Sequence, residues 1–213
     1  MEECAAISRC FIMDLSATIQ SLVDDGDVTG YAVYTPYGSE EQLRQLLPQG
    51  FKLVLQAEGT FGTRLLRGAS DLLDAGHDGA ILINSDSPTL PKTILRQAVD
   101  AVRAGDNVTL SPAFDGGYTL IGLSKLYAQL FADIPWSTDE VYRLTLERAR
   151  AIGLNVVNVP SWYDVDDAAS LRMLEEEMTS GCPSFASAGT VGADAPMTRR
   201  FLRERERKLA CSA

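Results

Sequence analysis

Ala80-Ile81-Leu82-Ile83-Asn84-Ser85-Asp86-Ser87-Pro88-Thr89-Leu90-Pro91 is an apolar run that stops abruptly in polar and turn-forming residues. Four aliphatic residues are too few for a typical helix. Their flanks read as turns, so the run is a strand buried on both faces, as in a parallel sheet. An open α/β sheet binds its ligands beyond the carboxyl ends of such strands, and this strand delivers Asp86 there. The competing reading of Asp86 is a cap or Asx turn ahead of Pro88.

Outward from this stretch, helical and extended patterns alternate. Ile7, Phe11, Leu15, Ile19 and Leu22 are spaced as one face of a helix that ends at Asp24-Asp25-Gly26-Asp27. Strands are predicted at 31–34, 52–55, 107–110, 118–121 and 154–159. Helices are predicted from Ser39 to Leu47, over 63–75, from Pro91 to Ala104, from Ser124 to Ala132, from Ser137 to Gly153 and from Ala168 onward. Ser39 with Gln42, and Ser137 with Glu140, have the spacing of capping boxes. The alternation predicts a three-layer α/β/α fold with a mostly parallel sheet. Residues 1–178 are expected to form this domain. Thr179 to Pro196, rich in Ser, Gly and Ala, reads as a flexible linker, followed by a basic, solvated C-terminal tail.

Two more acidic segments fall where strands run out into loops. They are Pro112-Ala113-Phe114-Asp115-Gly116-Gly117-Tyr118 and Trp162-Tyr163-Asp164-Val165-Asp166-Asp167. Carboxylates at strand ends suit metal-assisted handling of a diphosphate. Mg²⁺ or Mn²⁺ takes one or two carboxylates plus phosphate oxygens and neutralises charge on a leaving group. Asp86, with Asp164 or Asp166 from a distant segment, would form such a site. Asp166 or Asp167 could instead cap the helix starting at Ala168. The Asp115-Gly116-Gly117 turn reads either as a plain hairpin or as a close backbone approach to a ligand. Trp136 is read as packing rather than as a flank for a sugar or base.

The 213 residues carry a net charge of −10; the segment from Thr179 onward is +3, which leaves −13 on the body. A body this acidic repels nucleic acid and anionic lipid, so neither is an expected partner. No stretch approaches the ~20 apolar residues that span a bilayer, and no secretion signal opens the chain; a cytoplasmic protein is expected. Cys4, Cys10, Cys182 and Cys211 have no metal-binding or disulfide spacing. His77 sits in a turn with no nucleophile motif beside it.

Five motifs, in order, resemble a family of glycosyltransferase-A-fold proteins regarded as nucleotide-diphospho-sugar transferases, some of which accompany radical-SAM enzymes. They are Gln56-Ala57-Glu58-Gly59-Thr60-Phe61-Gly62-Thr63-Arg64, the Ser85-Asp86-Ser87-Pro88-Thr89-Leu90-Pro91 run, Pro112 to Tyr118 with Leu120 to Leu123, Ile134-Pro135-Trp136-Ser137-Thr138, and Trp162 to Asp166. The match spans about residues 4 to 178. The resemblance implies a nucleotide-binding domain with a divalent metal. It implies metal ligation by Asp86, Asp164 and Asp166, and a catalytic role for Asp86 and Asp115. It also implies nucleotide contacts from Gln56, Gly59, Gly62, Arg64, Ser85, Gly116 and Gly117. Related folds include guanylyltransferases.

Two activities are therefore expected, glycosyl transfer from a nucleotide sugar to an unknown small acceptor, or nucleotidyl transfer to a phosphate-bearing acceptor with loss of pyrophosphate. A homo-oligomer is compatible with either. One departure bears on both. The family ordinarily begins with a strand and a loop containing Gly, Lys and Arg that holds the nucleotide, whereas Met1-Glu2-Glu3-Cys4 leads directly into a helix. A truncated reading, completion by another chain, and a non-catalytic homologue are the three expectations that follow.

Overall fold

The computed structural model describes residues 2–26, 28–181, 183, 185 and 190–212. The middle of the expected linker, with Cys182, lies outside the described residues. Helix α1 (Glu2–Asp24) is followed by β1 (Tyr31–Tyr34), α2 (Glu40–Arg44), β2 (Lys52–Leu55), α3 (Phe61–Asp74), β3 (Ala80–Ile83) and α4 (Lys92–Arg103). Next come β4 (Asn107–Pro112), β5 (Tyr118–Leu123), a 3₁₀ turn at Ala128–Leu130, α5 (Val141–Ala151), β6 (Asn155–Asn158), α6 (Ala168–Ser180) and α7 (Pro196–Ser212).

Four strands form one sheet in the order β3-β5-β4-β6, and β1 pairs with β2 in a separate two-stranded sheet. Strand β5 is antiparallel to β3 and β4, while β4 and β6, and β1 and β2, are parallel. Thus β3, β4 and β6 run one way and end at the same edge. The β4–β5 hairpin accounts for the single antiparallel strand in an otherwise parallel arrangement.

Period-two alternation sends the strand side chains into two cores, which makes the three layers. On one face Leu120, with Ile81 and Ile83, packs against Phe11 and Leu15 of α1 and Ile94, Leu95 and Ala98 of α4. On the other, Val108, Leu110, Ile121 and Leu123, with Leu82, pack on Ala69 of α3 and Ala149 of α5. The central strands are almost wholly enclosed.

The local expectations fail in instructive places. Neither predicted capping box forms. Ser39 Oγ donates to the Pro36 carbonyl at 2.7 Å rather than accepting from the helix. Ser137 takes a left-handed backbone, and the position before α5 is occupied by Glu140 without a side-chain cap. The helix expected from Ser124 to Ala132 is only a 3₁₀ turn. The basic C-terminal segment is a helix and not a solvated tail. Leu202 is buried in the α1 core with Phe201 beside it. Arg205 pairs with Glu3 of α1 at 2.6 Å and with Glu175 of α6 at 2.9 Å. Both carboxylates of this bridge come from elsewhere in the chain, so local alternation of Arg and Glu did not disclose it.

Candidate active site

The loop leaving β3 is fixed before its acidic residue is reached. Asn84 N–H continues the β3–β5 ladder by donating to the Thr119 carbonyl at 3.1 Å. Ser87 Oγ lies 2.9 Å from Asn84 Oδ1 and 2.8 Å from the Tyr163 carbonyl, tying this loop to the one that follows β6. Val165 N–H donates to the Asp86 carbonyl at 2.9 Å, and Asn84 Nδ2 donates to Asp164 Oδ2 at 3.2 Å. Two segments remote in sequence are thereby locked side by side through main chain and short side chains, which lose little rotamer entropy.

This lock brings carboxylate oxygens of Asp86, Asp164 and Asp166 within 4.8 Å of one another. Among the described residues this is the one group of three or more His, Cys, Asp or Glu so arranged. Burial, with Asp166 and Asp164 as neighbouring negative charges, pushes the Asp86 carboxyl up to about 7. Burial, then Asp115 and Asp166, pushes Asp164 up to about 6. Asp86 Oδ1 is buried and has no hydrogen-bond partner. A buried acceptor left unsatisfied costs roughly 1–3 kcal/mol, so a convergent all-oxygen set of this kind fits a hard divalent cation.

Asp167, not Asp166, caps α6. Its side chain accepts from Ala169 N–H and Ser170 N–H, both at 2.8 Å, in a capping box completed by Ser170. Asp166 is left exposed and facing the cluster. The two candidate roles of the Asp166-Asp167 pair are divided between neighbours.

Asp86, Asp164 and Asp166 line a cavity of about 1460 Å³, which Gln56, Arg64, Ser85, Asp115, Gly117, Trp136 and Thr138 also line. Asp115 Oδ1 accepts from Gly117 N–H at 2.8 Å, an Asx turn that orients the carboxylate beside Asp164. Arg64 Nη1 donates to Gln56 Oε1 at 2.9 Å, its guanidinium sits 5.4 Å from the centre of the Phe61 ring, and its buried Nε has no partner.

Three other residues expected to contact a ligand, Gly59, Gly62 and Gly116, are not among those that line the cavity. Gly116 has φ +89°, and a Cβ there would run into the Asp139 backbone. Its close approach is to protein. A Cβ on Gly62 would stand 2.5 Å from the Phe131 carbonyl and 2.8 Å from Trp136 Nε1, again a packing requirement. Gly59, at φ +118°, shapes the turn beside Thr63 at the start of α3. Trp136 both packs edge-on against Phe61 (ring centres 5.1 Å apart) and lines the cavity. His77 hydrogen-bonds through Nε2 to Tyr31 Oη at 2.8 Å, at the end of the cavity away from the carboxylates.

Sequence reasoning left Asn84 and Ser87 without a role, although they are the residues that align the two acidic loops. It also did not foresee the layer beneath. Buried Glu177 of α6 accepts from Thr89 Oγ1 at 2.9 Å and from Tyr163 Oη. Thr89 Oγ1 in turn accepts from Trp162 Nε1 at 3.2 Å. The signal was present only as a polar residue, Glu177, on the inward side of an otherwise apolar helix face.

Residues 18–138 match the model of a bacterial protein family with the description "Uncharacterized protein conserved in bacteria (DUF2064)". No curated protein matches the chain in sequence. A crystal structure from Desulfovibrio desulfuricans G20, of a protein to which nucleotide-diphospho-sugar transferase activity is ascribed, is similar with a TM-score of 0.78 and 27% identity. The similarity covers 97% of this chain and 84% of that one. A 4-diphosphocytidyl-2C-methyl-D-erythritol synthase shares the fold at a TM-score of 0.56 and 10% identity, over 78% of this chain and 89% of the other. The α/β, glycosyltransferase-A-like architecture is that of nucleotide-sugar transferase-like folds.

Proposed function

This chain belongs to the bacterial DUF2064 family, and from that premise and the site geometry we propose that it is a metal-dependent transferase, moving a glycosyl group from a nucleoside diphosphate sugar to a small acceptor. The observation that carries this reading is the convergence of Asp86, Asp164 and Asp166 on the lining of a large cavity. The name ascribed to the Desulfovibrio protein supports the donor class.

In this reading Asp86, Asp164 and Asp166 hold Mg²⁺ or Mn²⁺, and the ion supplies neutralisation of the charge that builds on the departing diphosphate. Arg64, held by Gln56, offsets further phosphate charge. Ser85 and the Gly117 backbone line the donor's path. Asp115 keeps one oxygen on Gly117 N–H and turns the other to the acceptor hydroxyl, which it orients or deprotonates.

The same constellation serves nucleotidyl transfer, in which a phosphate-bearing acceptor attacks a nucleoside triphosphate and pyrophosphate leaves. The fold shared with the diphosphocytidyl-methylerythritol synthase favours keeping that second reading. One assay separates them. The protein is incubated with Mn²⁺ and a panel of nucleotide sugars or nucleoside triphosphates. Nucleoside diphosphate release that disappears in Asp86→Asn supports glycosyl transfer; pyrophosphate release supports the second reading. Absence of both products, together with Mn²⁺ binding that is indifferent to Asp86→Asn, overturns the transferase proposal.

A further inference from the structure

One buried carboxylate stands outside the acidic cluster yet is bonded to both of the loops that carry it. Glu177 lies in the second half of α6, only 4% exposed, on a helix face where Leu174 is the neighbouring buried residue. An apolar side chain would fill such a place without the cost of taking a carboxyl group out of water. Its partners explain what stands there instead. Glu177 Oε2 accepts from Thr89 Oγ1 at 2.9 Å and from Tyr163 Oη. Thr89 follows closely on Asp86 in the loop after β3, and Tyr163 immediately precedes Asp164.

The links from these partners to the cluster are short and stiff. Leu90 N–H donates to the Ser87 carbonyl at 3.1 Å, closing a turn through Pro88, whose ring fixes its own φ, so a shift of Thr89 is passed on toward Asp86. Tyr163 is held at both ends, its carbonyl by Ser87 Oγ at 2.8 Å and its hydroxyl by Glu177. Trp162 Nε1 donates to Thr89 Oγ1 at 3.2 Å, a further tie between the same two loops. Asp166 is referred to the same helix, because Asp167 caps the amino end of α6, about 15 Å along the axis from Glu177. The carboxylate has main chain directly against it. A Cβ on Gly192 would collide with Glu177 Oε1, and Ala193 N–H donates to the Thr89 carbonyl at 2.9 Å.

We propose that Glu177 is a positioning residue for the metal-dependent step: through Thr89 and Tyr163 it sets the spacing of Asp86 and Asp164, and through α6 that of Asp166, without joining the cluster itself. Its consequence for the ion rests on the metal reading given above, while the positioning itself rests on the hydrogen bonds alone. One carboxylate thus refers three segments of chain to a single rigid helix.

The test compares the parent chain with Glu177→Gln, Glu177→Ala, Tyr163→Phe and the double variant Glu177→Ala/Tyr163→Phe, all well below their melting temperatures. Two quantities are measured. Hydrogen exchange at the Val165 amide, which donates to the Asp86 carbonyl, reports the register of the two loops, with the amides of β4 and β5 as the reference for global opening. Calorimetric titration gives the affinity for Mn²⁺. In Glu177→Ala and Tyr163→Phe the Val165 amide is expected to exchange about tenfold faster relative to β4 and β5, and Mn²⁺ to bind about tenfold more weakly. Glu177→Gln, whose carbonyl oxygen still accepts, is expected to recover part of both losses. The double variant is expected to be no worse than Glu177→Ala, since the tyrosine hydroxyl acts through the carboxylate.

A lowered melting temperature with Val165 exchange unmoved relative to β4 and β5 would make Glu177 a packing residue and overturn the proposal. Additive losses in the double variant, or faster Val165 exchange with Mn²⁺ affinity intact, would overturn it equally. Tyr163→Phe keeps the ring and decides the matter if Glu177→Ala folds poorly. A parent chain that binds no Mn²⁺ sinks the metal reading by itself, and the exchange rates then judge the positioning role alone.

Discussion

The main-chain N–H of Val165 donates to the main-chain carbonyl of Asp86 at 2.9 Å, so the two acidic loops are registered at Asp86 by backbone and not by its carboxylate. Neutralising the Asp86 carboxylate therefore leaves the loops in place and changes only the charge between them.

Asp86→Asn is expected to raise the melting temperature of the metal-free protein by a few degrees, because it removes a buried charge facing Asp164 and Asp166. The same substitution is expected to abolish the further rise that Mn²⁺ gives the parent protein through preferential binding to the folded state. Thermal melts of both proteins with and without Mn²⁺ measure the two effects together. A parent protein indifferent to Mn²⁺ would contradict the metal site.

Stability without metal is expected to fall as pH rises from about 4 to about 7. An unfolded aspartate loses its proton near 3.8, whereas folded Asp86 keeps it to about 7 and folded Asp164 to about 6. Over that window the folded state binds more protons, so raising the pH favours unfolding. Asp25 and Asp167 are shifted downward and act below that window, with the opposite sign. Urea unfolding across this range should show the fall, and Asp86→Asn should lessen it, with Asp164 and burial-raised Glu177 keeping the remainder.

Adjacent Asp166 and Asp167 are expected to separate cleanly. Asp167→Ala removes the acceptor for Ala169 N–H and Ser170 N–H and lowers the melting temperature, with Mn²⁺ affinity changed little. Asp166→Ala leaves the cap and the melting temperature nearly as they were and weakens Mn²⁺ about tenfold or more. Calorimetric titration of Mn²⁺ beside thermal melts distinguishes the two residues.

Gly116→Ala is expected to cost about 2–4 kcal/mol, since it combines a positive φ with a Cβ driven into the Asp139 backbone. Gly153→Ala, with φ +68° but open space around it, is expected to cost only about 1 kcal/mol. Paired urea curves test whether steric contact or backbone conformation governs the turn after β4.

The sheet edge carrying Asp86 was legible because Ala80 to Ile83 is bounded by turn residues on both sides, a pattern that depends on nothing distant. The capping boxes were not, since Ser39 and Ser137 had alternatives that local spacing does not rank. Ser39 bonded backward to Pro36, and Ser137 adopted a left-handed turn. The division of labour between Asp166 and Asp167 was hidden for a related reason: two neighbouring carboxylates look alike until the helix direction settles which one meets its first amides. Asn84 and Ser87 gain their roles only when β6 brings Tyr163 and Asp164 alongside, a contact no local window contains. The docking of α7 was obscured by its charges, which outnumber the apolar residues that seat it.

Asp14, buried in the middle of α1, accepts from Met197 N–H at 3.0 Å and from Thr198 N–H at 2.8 Å, the opening amides of α7. One early side chain thus serves as the keystone for a helix folded from the far end of the polypeptide. Clipping α7 away would leave that carboxylate stranded against the same helix whose other face, through Leu15, Ile19 and Leu22, walls the great cavity. Damage at the tail would be felt in that cavity, without any residue of its lining having been touched.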